Sequence, residues 1–440
     1  MKNMIVQQFL PGSAEDPRLP SFGTILFPLG ELPAELRSKI YKHIQTHGII
    51  AMRQAALVCQ EWYEVFFPIA HETLELEAYR HDDEESVVPG SSTDEATVLS
   101  WIHALASVPR IASVTRSLAL TGPSLTRSYT KTIHGIAIRS PRLSLCLLAA
   151  LLEMLPRVTN IHLDRVTWEP CSSLEGDPHR AHHEWLRTSI STLHLSSVHC
   201  IDPHIAHPLM VTKLFQSIEE LFIEDIEGTE DDRDLSDLPT FDIKRMCLMR
   251  TDSDSYYLSN ALHQCIPANS LQSLHIHDFT YDDIHLVVPL IFRHSGSLVR
   301  LHLCFLSQVD LHFPNLWNML GIDQCNAISE FSIEIGIHSR LPFHFHDMFH
   351  LLITVLQNIS DKMAKLEIWL DLDYTVGLGG ADVLSPQGWS TIDDVCRRFS
   401  KLTHFTLGIL PVTSCLTALS KSNVTFLVER GWSPSKVGQE

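Results

Sequence analysis

Histidines are the side chains in this sequence whose spacing comes nearest to a chemical site. His346 and His350 are four residues apart, so on a helix they would share one face, as zinc ligands do. His344 precedes them in the same segment. No HExxH motif and no third ligand at the usual spacing accompany them. The pattern therefore favours ordinary surface histidines, and we expect no metal site.

Motifs for covalent or nucleotide chemistry are also missing from the sequence. Gly377, Gly379 and Gly380 form a glycine-rich stretch, but the Lys-Ser/Thr pair that holds a phosphate does not follow it. There is no GxSxG motif, and none of the 10 cysteines stands in a CxxC pair or a recognisable nucleophile motif. We expect no catalytic residue and no cofactor, and hence a protein that is not an enzyme.

Charge and composition argue against nucleic-acid-binding, membrane and secreted proteins. The chain has 440 residues, a net charge of −19 and 45% hydrophobic residues, so it can bury a large core but lacks the clustered cations that nucleic acids or anionic membranes require. The longest apolar run, 143–155, contains Glu153 and is shorter than the ~20 residues of a bilayer span, which indicates a buried helix. No secretory signal is visible and the cysteines are scattered, so a cytoplasmic or nuclear location is expected.

A six-residue pattern recurs along most of the chain: an apolar residue, two variable ones, then apolar, variable, apolar. Leu118-Ala119-Leu120 is an earlier, degraded copy. The alternating end of each copy predicts a strand with one buried face, and the amphipathic segments 255–266, 282–294 and 347–359 predict helices between copies. The nine copies begin at Val158, Ile190, Ile218, Ile243, Leu271, Leu298, Ile328, Met363 and Leu402.

This strand-and-helix unit resembles the leucine-rich repeat, with copies spaced near or above the upper end of that family's period. An ordinary α/β domain with alternating strands and helices is the alternative. The family usually places an asparagine or cysteine after its last leucine to cap the turn, and this chain does not. The corresponding column holds Val166, Val198, Ile226, Thr251, Phe279 and Leu306. The repeats are therefore expected to be irregular.

A compact helical block precedes the repeats. Leu32, Leu36, Ile40 and Ile44 recur every fourth residue after the helix-starting Pro33, and His47-Gly48 ends this first helix. A second helix is predicted through residues 52–66, with Leu57 and Val58 lying off its apolar stripe. A block of this size has little core of its own, so its surplus apolar residues favour contact with a partner.

The block, with its Leu-Pro-x-Glu-Leu opening and Leu-Val-Cys-x-x-Trp close, resembles the F-box, as in many fungal proteins that join it to divergent leucine-rich repeats. The resemblance implies that the block binds a Skp-type adaptor, which links it to a cullin and a RING subunit of a ubiquitin ligase. A helical cap that seals the first repeat is the alternative for the block, and a protein-binding scaffold outside any ligase is the alternative for the function. The adaptor contacts implied by the resemblance fall on Leu32, Pro33, Leu36, Ile40, Leu57, Val58 and Trp62.

The predicted fold class is α/β: an N-terminal helical F-box, then an irregular leucine-rich-repeat solenoid with a parallel strand sheet and outer helices. The predicted domains are a flexible leader (1–28), the F-box (29–76), an acidic linker (77–97), the repeat domain (98–425) and a C-terminal tail (426–440).

Capture of an unknown target protein is expected on the outward strand positions. Between the last two apolar residues of each copy stands one outward residue, and in four copies it is a histidine: His162, His194, His275 and His302. Below about pH 6.5 such a strip would gain positive charge and favour an acidic target. The acidic run 224–237 lacks the oxygen spacing of a calcium loop, so it is read as a solvated loop that could rim the face for a basic partner.

Overall fold

A computed structural model describes residues 33–58, 60–77, 93–122, 141–169, 188–200, 207–226, 238–249, 255–279, 283–305, 319–337, 345–372 and 386–410. Several predicted features lie outside these ranges. They are the leader, most of the acidic linker, the C-terminal tail, the glycines at 377–380, Leu32, His344 and most of the acidic run.

An eleven-stranded, entirely parallel sheet organises the described chain. Each strand pairs with the previous strand of the series, in the order β1-β2-β4-β6-β8-β9-β10-β11-β12-β13-β14. The predicted parallel sheet is confirmed, and each of the nine repeat copies, like the degraded one, coincides with a strand. The strands are β1 (Thr73–Glu77), β2 (Ser117–Thr121), β4 (Asn160–Asp164), β6 (Thr188–Ser196), β8 (Phe215–Glu224), β9 (Asp242–Met249), β10 (Ser273–Phe279), β11 (Arg300–Phe305), β12 (Glu330–Ile337), β13 (Lys365–Leu372) and β14 (His404–Leu410).

Helices lie between many of the strands along the chain, and their buried residues pack in one core with the repeat leucines. The segments predicted as helices at 255–266, 282–294 and 347–359 are confirmed, and the apolar run at 143–155 forms a short strand and a helix. The helices are α1 (Ala34–Thr46), α2 (Gly48–Ala56), α3 (Gln60–Ala70), α4 (Thr93–Ser107), α5 (Pro109–Val114), α6 (Leu145–Met154), α7 (Ser255–Cys265), α8 (Ile284–Arg293), α9 (Phe345–Asn358) and α10 (Pro386–Cys396), with 3₁₀ helices at Pro208–Leu214 and Ile322–Gln324.

Successive side chains along each strand alternate between a buried face and a more accessible face of the sheet. In β4, Ile161 and Leu163 are buried while His162 between them is half-buried. The inward residues share one hydrophobic core with the buried residues of the helices. Helices of neighbouring units pack side by side, α7 against α8 and α9 against α10. The outward face of the sheet therefore lies outside this core.

A second sheet of three short parallel strands was not predicted. It consists of β3 (Arg142–Ser144), β5 (Thr167–Glu169) and β7 (His199–Cys200), in that order. Strands of two or three residues are too short to show a period of two, which is why the sequence pattern did not reveal them.

Left-handed turns take the place of the missing asparagines. Arg165 has φ 53 and its N–H donates to Ser196 O at 2.9 Å, and Ser197, with φ 49, donates likewise to Glu224 O at 2.9 Å. The residues that follow, Val166 and Val198, are buried at 1% and 0% exposure. In these units, backbone hydrogen bonds and apolar packing fix the turn that asparagine side chains usually hold.

The N-terminal block contains three helices rather than the two predicted. The break after α1 falls at His47-Gly48 as expected, and Gly48 has φ 85, which glycine adopts most easily. The predicted helix 52–66 is interrupted, because Leu57 and Val58 form a turn in which their N–H groups bond to Gln54 O and Ala55 O. The apolar stripe continues on both sides of this turn, so periodicity did not show it.

The helical block runs directly into the sheet. Only His71 and Glu72 separate α3 from β1, so the predicted boundary at residue 76 falls within a strand. Thr115 Oγ1 donates to His71 O at 3.2 Å, and the Arg116 N–H donates to Glu72 O at 2.8 Å. Phe66 and Ala70 of α3 belong to the same core as the sheet, so block and sheet pack as one unit.

Two arginines donate hydrogen bonds to backbone carbonyls at the C-terminal ends of the preceding helices. Arg293, at the end of α8, donates from Nε to Ile266 O at 3.0 Å, just after α7. Arg398, after α10, donates to the carbonyls of Leu356, Gln357 and Ile359 at the end of α9. Because the last carbonyls of a helix have no partner within it, each arginine ties one unit to the unit before it.

Replacing Leu274 by alanine tests the sorting of the two faces. Leu274 is 0% exposed, so Leu274→Ala should lower the free energy of unfolding by about 2–5 kcal/mol through lost burial and a cavity. His275, its outward neighbour on β10, is the matched control, and His275→Ala should change that free energy by less than about 0.5 kcal/mol. Urea titration measures both. Equal losses would contradict the assignment of inward and outward residues.

Candidate functional site: the outward face of the sheet and the helical block

One continuous row of outward side chains crosses the long sheet. We call it the central row. The Cα register makes each member the direct partner of the next, from the first strand to the last. Its members are Glu75, Ala119, His162, His194, Phe222, Cys247, His275, His302, Ser332, Glu367 and Thr406.

The four predicted histidines lie in this row as two separate pairs. The rings of His162 and His194 are stacked, with centroids 4.2 Å apart and planes 4° apart. Those of His275 and His302 are 5.4 Å apart and tilted by 40°, so these two are close neighbours. Phe222 and Cys247 stand between the pairs, so the histidines do not form one strip.

A fifth histidine, missed in the sequence, belongs to the second pair. His277 follows His275 by two residues on β10, so it points to the same side, and its ring lies 5.2 Å from that of His302. The signal in the sequence is the His-x-His alternation on β10, but His277 lies outside the column between the last two repeat leucines.

Three of the four histidines have lowered pKa values, so their predicted gain of charge is displaced to lower pH. Burial, reinforced by the neighbouring histidines, lowers the pKa of His302 to about 4. Loss of hydration and then His162 lower the pKa of His194, with Glu224 and Asp164 opposing them. Loss of hydration also lowers the pKa of His275, followed by His277, Arg300 and Arg245. These three imidazoles are therefore harder to protonate than an ordinary histidine.

Charged side chains beside the central row are paired with one another. Arg300 Nε lies 2.9 Å from Glu330 Oε2, and Lys365 Nζ lies 2.8 Å from Glu367 Oε1. Arg245 makes longer contacts of 3.5 and 3.4 Å with Glu219 and Glu220. Because cations and carboxylates alternate here, the face carries no large field of one sign.

The helical block exposes apolar side chains that the rest of the described chain mostly buries. Of nine large apolar residues that are exposed in the described ranges, five lie in 33–58, where α1 has no buried residue at all. The most exposed are Leu57 at 76%, Ile50 at 70% and Val58 at 63%. Ile49 and Ile50 had not been singled out, since they lie outside both predicted stripes.

The residues implied by the F-box resemblance divide into exposed and packed ones. Pro33, Leu36, Leu57 and Val58 are exposed, and Ile40 is half-buried. Trp62 packs inward, edge-on to Phe66 with centroids 5.8 Å apart, and is half-buried against the core. Trp62 thus contributes to the block's own packing. Leu32 lies outside the described residues.

The same helices are basic within an acidic protein. Residues 33–58 carry Arg37, Lys39, Lys42 and Arg53 against Glu35 alone, whereas the whole chain has a net charge of −19. A surface that combines exposed apolar groups with cations suits a partner that is apolar and acidic.

Within the described residues, no group of three or more His, Cys, Asp or Glu is arranged to hold a metal ion. His346 and His350 both fall in α9, whose side chains at these positions are not described. In the same part of the chain, no helix combines the length and apolarity needed to cross a bilayer.

Comparison with known proteins gives no family: no protein-family model matches the chain, and no curated protein matches it.

The neutral histidines predict a loss of stability in acid. For His302, the folded pKa of about 4 is below the unfolded value of 6.5, so its contribution is complete above pH 6.5 and is lost as pH falls towards 4. This loss should amount to roughly 2 kcal/mol, after allowance for partial exposure. Urea titrations from pH 7.5 to 4.5 should show a shallower decline for His302→Gln than for the unaltered protein. Parallel declines would show that His302 does not set this dependence.

Proposed function

We propose that the chain is a non-catalytic substrate adaptor of a cullin-RING ubiquitin ligase. Its helical block is an F-box that binds a Skp-type adaptor, and its sheet domain is an irregular leucine-rich-repeat solenoid that recruits a target protein. The observation that carries the proposal is the exposed apolar surface of residues 33–58, because a monomer rarely leaves five large apolar side chains of one small block in water.

Two features support docking over the alternative of a helical cap. A cap would turn its apolar residues onto the first strand, and α3 does so through Phe66, Phe67 and Ala70. The first helix, in contrast, has no buried residue, and Leu36 is 47% exposed on it. The block therefore has one side packed on the sheet and another left for a partner.

The solenoid is supported by the order of the strands. Strands that follow one another in the chain are neighbours in the long sheet, and every pairing is parallel. A single α/β domain usually reverses its strand order near the middle of the sheet. In a repeat array, each unit contacts only the units before and after it, which gives this strictly sequential order.

Target capture is assigned to the outward face, through His162, His194, His275 and His302 and the side chains between them. The four histidines and Phe222 are partly accessible, whereas Cys247 in the same row is buried at 5% exposure. The inward residues of the same strands share one core with the helices. Because their pKa values are lowered, His194, His275 and His302 act here as neutral hydrogen-bonding groups.

Leu57 and Val58 provide a direct test of docking. Since both are exposed, replacing them together by serine should leave the fold intact and remove about 3 kcal/mol of apolar burial, weakening binding of a purified Skp-type adaptor roughly a hundredfold. Phe292→Ser is the matched control, because Phe292 is also exposed, at 49%, but lies on α8. Titration calorimetry measures both variants.

The same experiment separates the two candidate functions. If the unaltered protein binds the adaptor and co-purifies with a cullin, and only the Leu57/Val58 variant fails, the ligase assignment stands. Absence of adaptor binding by the unaltered, folded protein would favour a repeat scaffold working outside a ligase.

A further inference from the structure

Unsatisfied polar atoms collect on the outward face of the sheet. In the described ranges, nine side-chain nitrogen or oxygen atoms are buried without a hydrogen-bond partner. Six of them lie on this face, one on each of six strands. They are His162 Nε2, His194 Nε2, Arg245 Nε, Ser273 Oγ, His302 Nε2 and Ser332 Oγ. Of these, His194 Nε2 lies 3.7 Å from Glu224 Oε2, a contact longer than a hydrogen bond.

Such atoms are costly, so their concentration on one face requires a reason. A buried polar group without a partner typically loses more free energy than a satisfied one gains, and folded proteins keep few of them. Ser273 is the clearest case, because the whole residue is only 3% exposed and its hydroxyl still has no partner. Alanine at this position would remove the unsatisfied hydroxyl at no expense to the core.

Four of the six atoms follow the central row, and the other two lie in the adjacent row. The four atoms in the central row belong to His162, His194, His302 and Ser332. Arg245 and Ser273 are direct partners of each other, and each stands two residues before the central-row member of its strand, on β9 and β10. From β4 to β12 the row crosses six strand spacings of ~4.8 Å, or about 29 Å. An extended polypeptide of about nine residues has that length.

The chemistry of these atoms suits a backbone better than a charge. Serine hydroxyls can donate or accept, as can the neutral imidazole of His302, while Arg245 Nε donates. An extended chain presents N–H and C=O groups in alternation. The cations nearby, Arg300 and Lys365, are already paired with carboxylates. Phe222, in the middle of the row, offers an apolar contact between the two histidine pairs.

We propose that the central row is a backbone-reading site: it binds an extended, uncharged segment of the target protein, and the outward side chains of β4 to β12 turn on binding so that their buried, unpartnered polar atoms meet its main-chain amides. The proposal rests on the proposed function only in naming the row as the target-binding face. Recognition through backbone groups makes the row tolerant of target sequence, with Phe222 selecting an apolar residue near the centre of the segment.

The free protein provides the first test, with no ligand needed. If Ser273 and Ser332 are kept for a partner, Ser273→Ala and Ser332→Ala should each raise the midpoint of thermal unfolding of the full chain. Ser196→Ala is the matched control: Ser196 is 8% exposed on the same face, but its hydroxyl lies 3.2 Å from Glu224 Oε2. This control should lower the midpoint. A lower midpoint in all three variants would overturn the proposal, since the hydroxyls would then serve the fold.

The second test uses a displayed library of ten-residue peptides selected on the full chain. The proposal expects enrichment of peptides without charged residues, and a Ser273→Ala, Ser332→Ala double variant should bind them roughly tenfold more weakly or worse. N-methylation of alternate peptide amides should abolish binding. Enrichment of acidic or basic peptides, insensitivity to N-methylation, or no enrichment at all would each overturn it.

Adaptor binding, measured on the same variants, keeps the two proposals apart. The serine variants should bind the Skp-type adaptor as the unaltered protein does, because the helical block is unchanged. If the serine variants lose peptide binding but still bind the adaptor, the result supports the central-row proposal and leaves the ligase proposal unaffected. If the unaltered protein fails to bind the adaptor, the result contradicts the ligase proposal alone.

Discussion

Register between neighbouring strands is the constraint on which the rest of this structure depends. Just before most strands of the long sheet, one carbonyl accepts two successive N–H groups of the next strand. Glu72 O accepts from Arg116 and Ser117, and the same arrangement recurs at the far end, where Ala364 O accepts from Thr403 and His404. A slip of one residue at any step would exchange the buried and outward side chains of that strand.

This fixed register explains why the two faces of the sheet can differ so strongly. The inward face is a continuous apolar core reaching from the helical block to the last described strands. The outward face carries paired charges, neutral histidines and polar atoms that have no partner. Most of the buried apolar surface lies on one face, so the other can hold polar groups without disrupting the core.

The sequence revealed the strands because their signal is local and repeated. In Leu271-x-x-Leu274-x-Ile276, spacing alone predicts which residues are buried, and nine such copies predict a parallel sheet. The strand β1 was missed because it directly follows the apolar helix α3 and was included in the helical block. The break at Leu57 and Val58 was missed because the stripe of buried residues continues across it.

The properties of the candidate site depended on neighbours that the sequence does not place together. His302 is neutral because it is buried beside His275 and His277, which reach it from another strand. The orphaned hydroxyl of Ser273 depends on what covers it, and no local pattern encodes that. Residue type and column could be predicted from the sequence, whereas hydration and charge state could not.

The direct join between α3 and β1 sets a geometry for the whole protein. With only two residues between the last helix of the block and the first strand, no hinge separates them. Each further strand adds ~4.8 Å, so the His162 pair begins about 10 Å along the sheet from β1, and His302 lies about 34 Å along it. The strand at which a bound partner is held therefore fixes its distance from the helical block, in steps of ~4.8 Å.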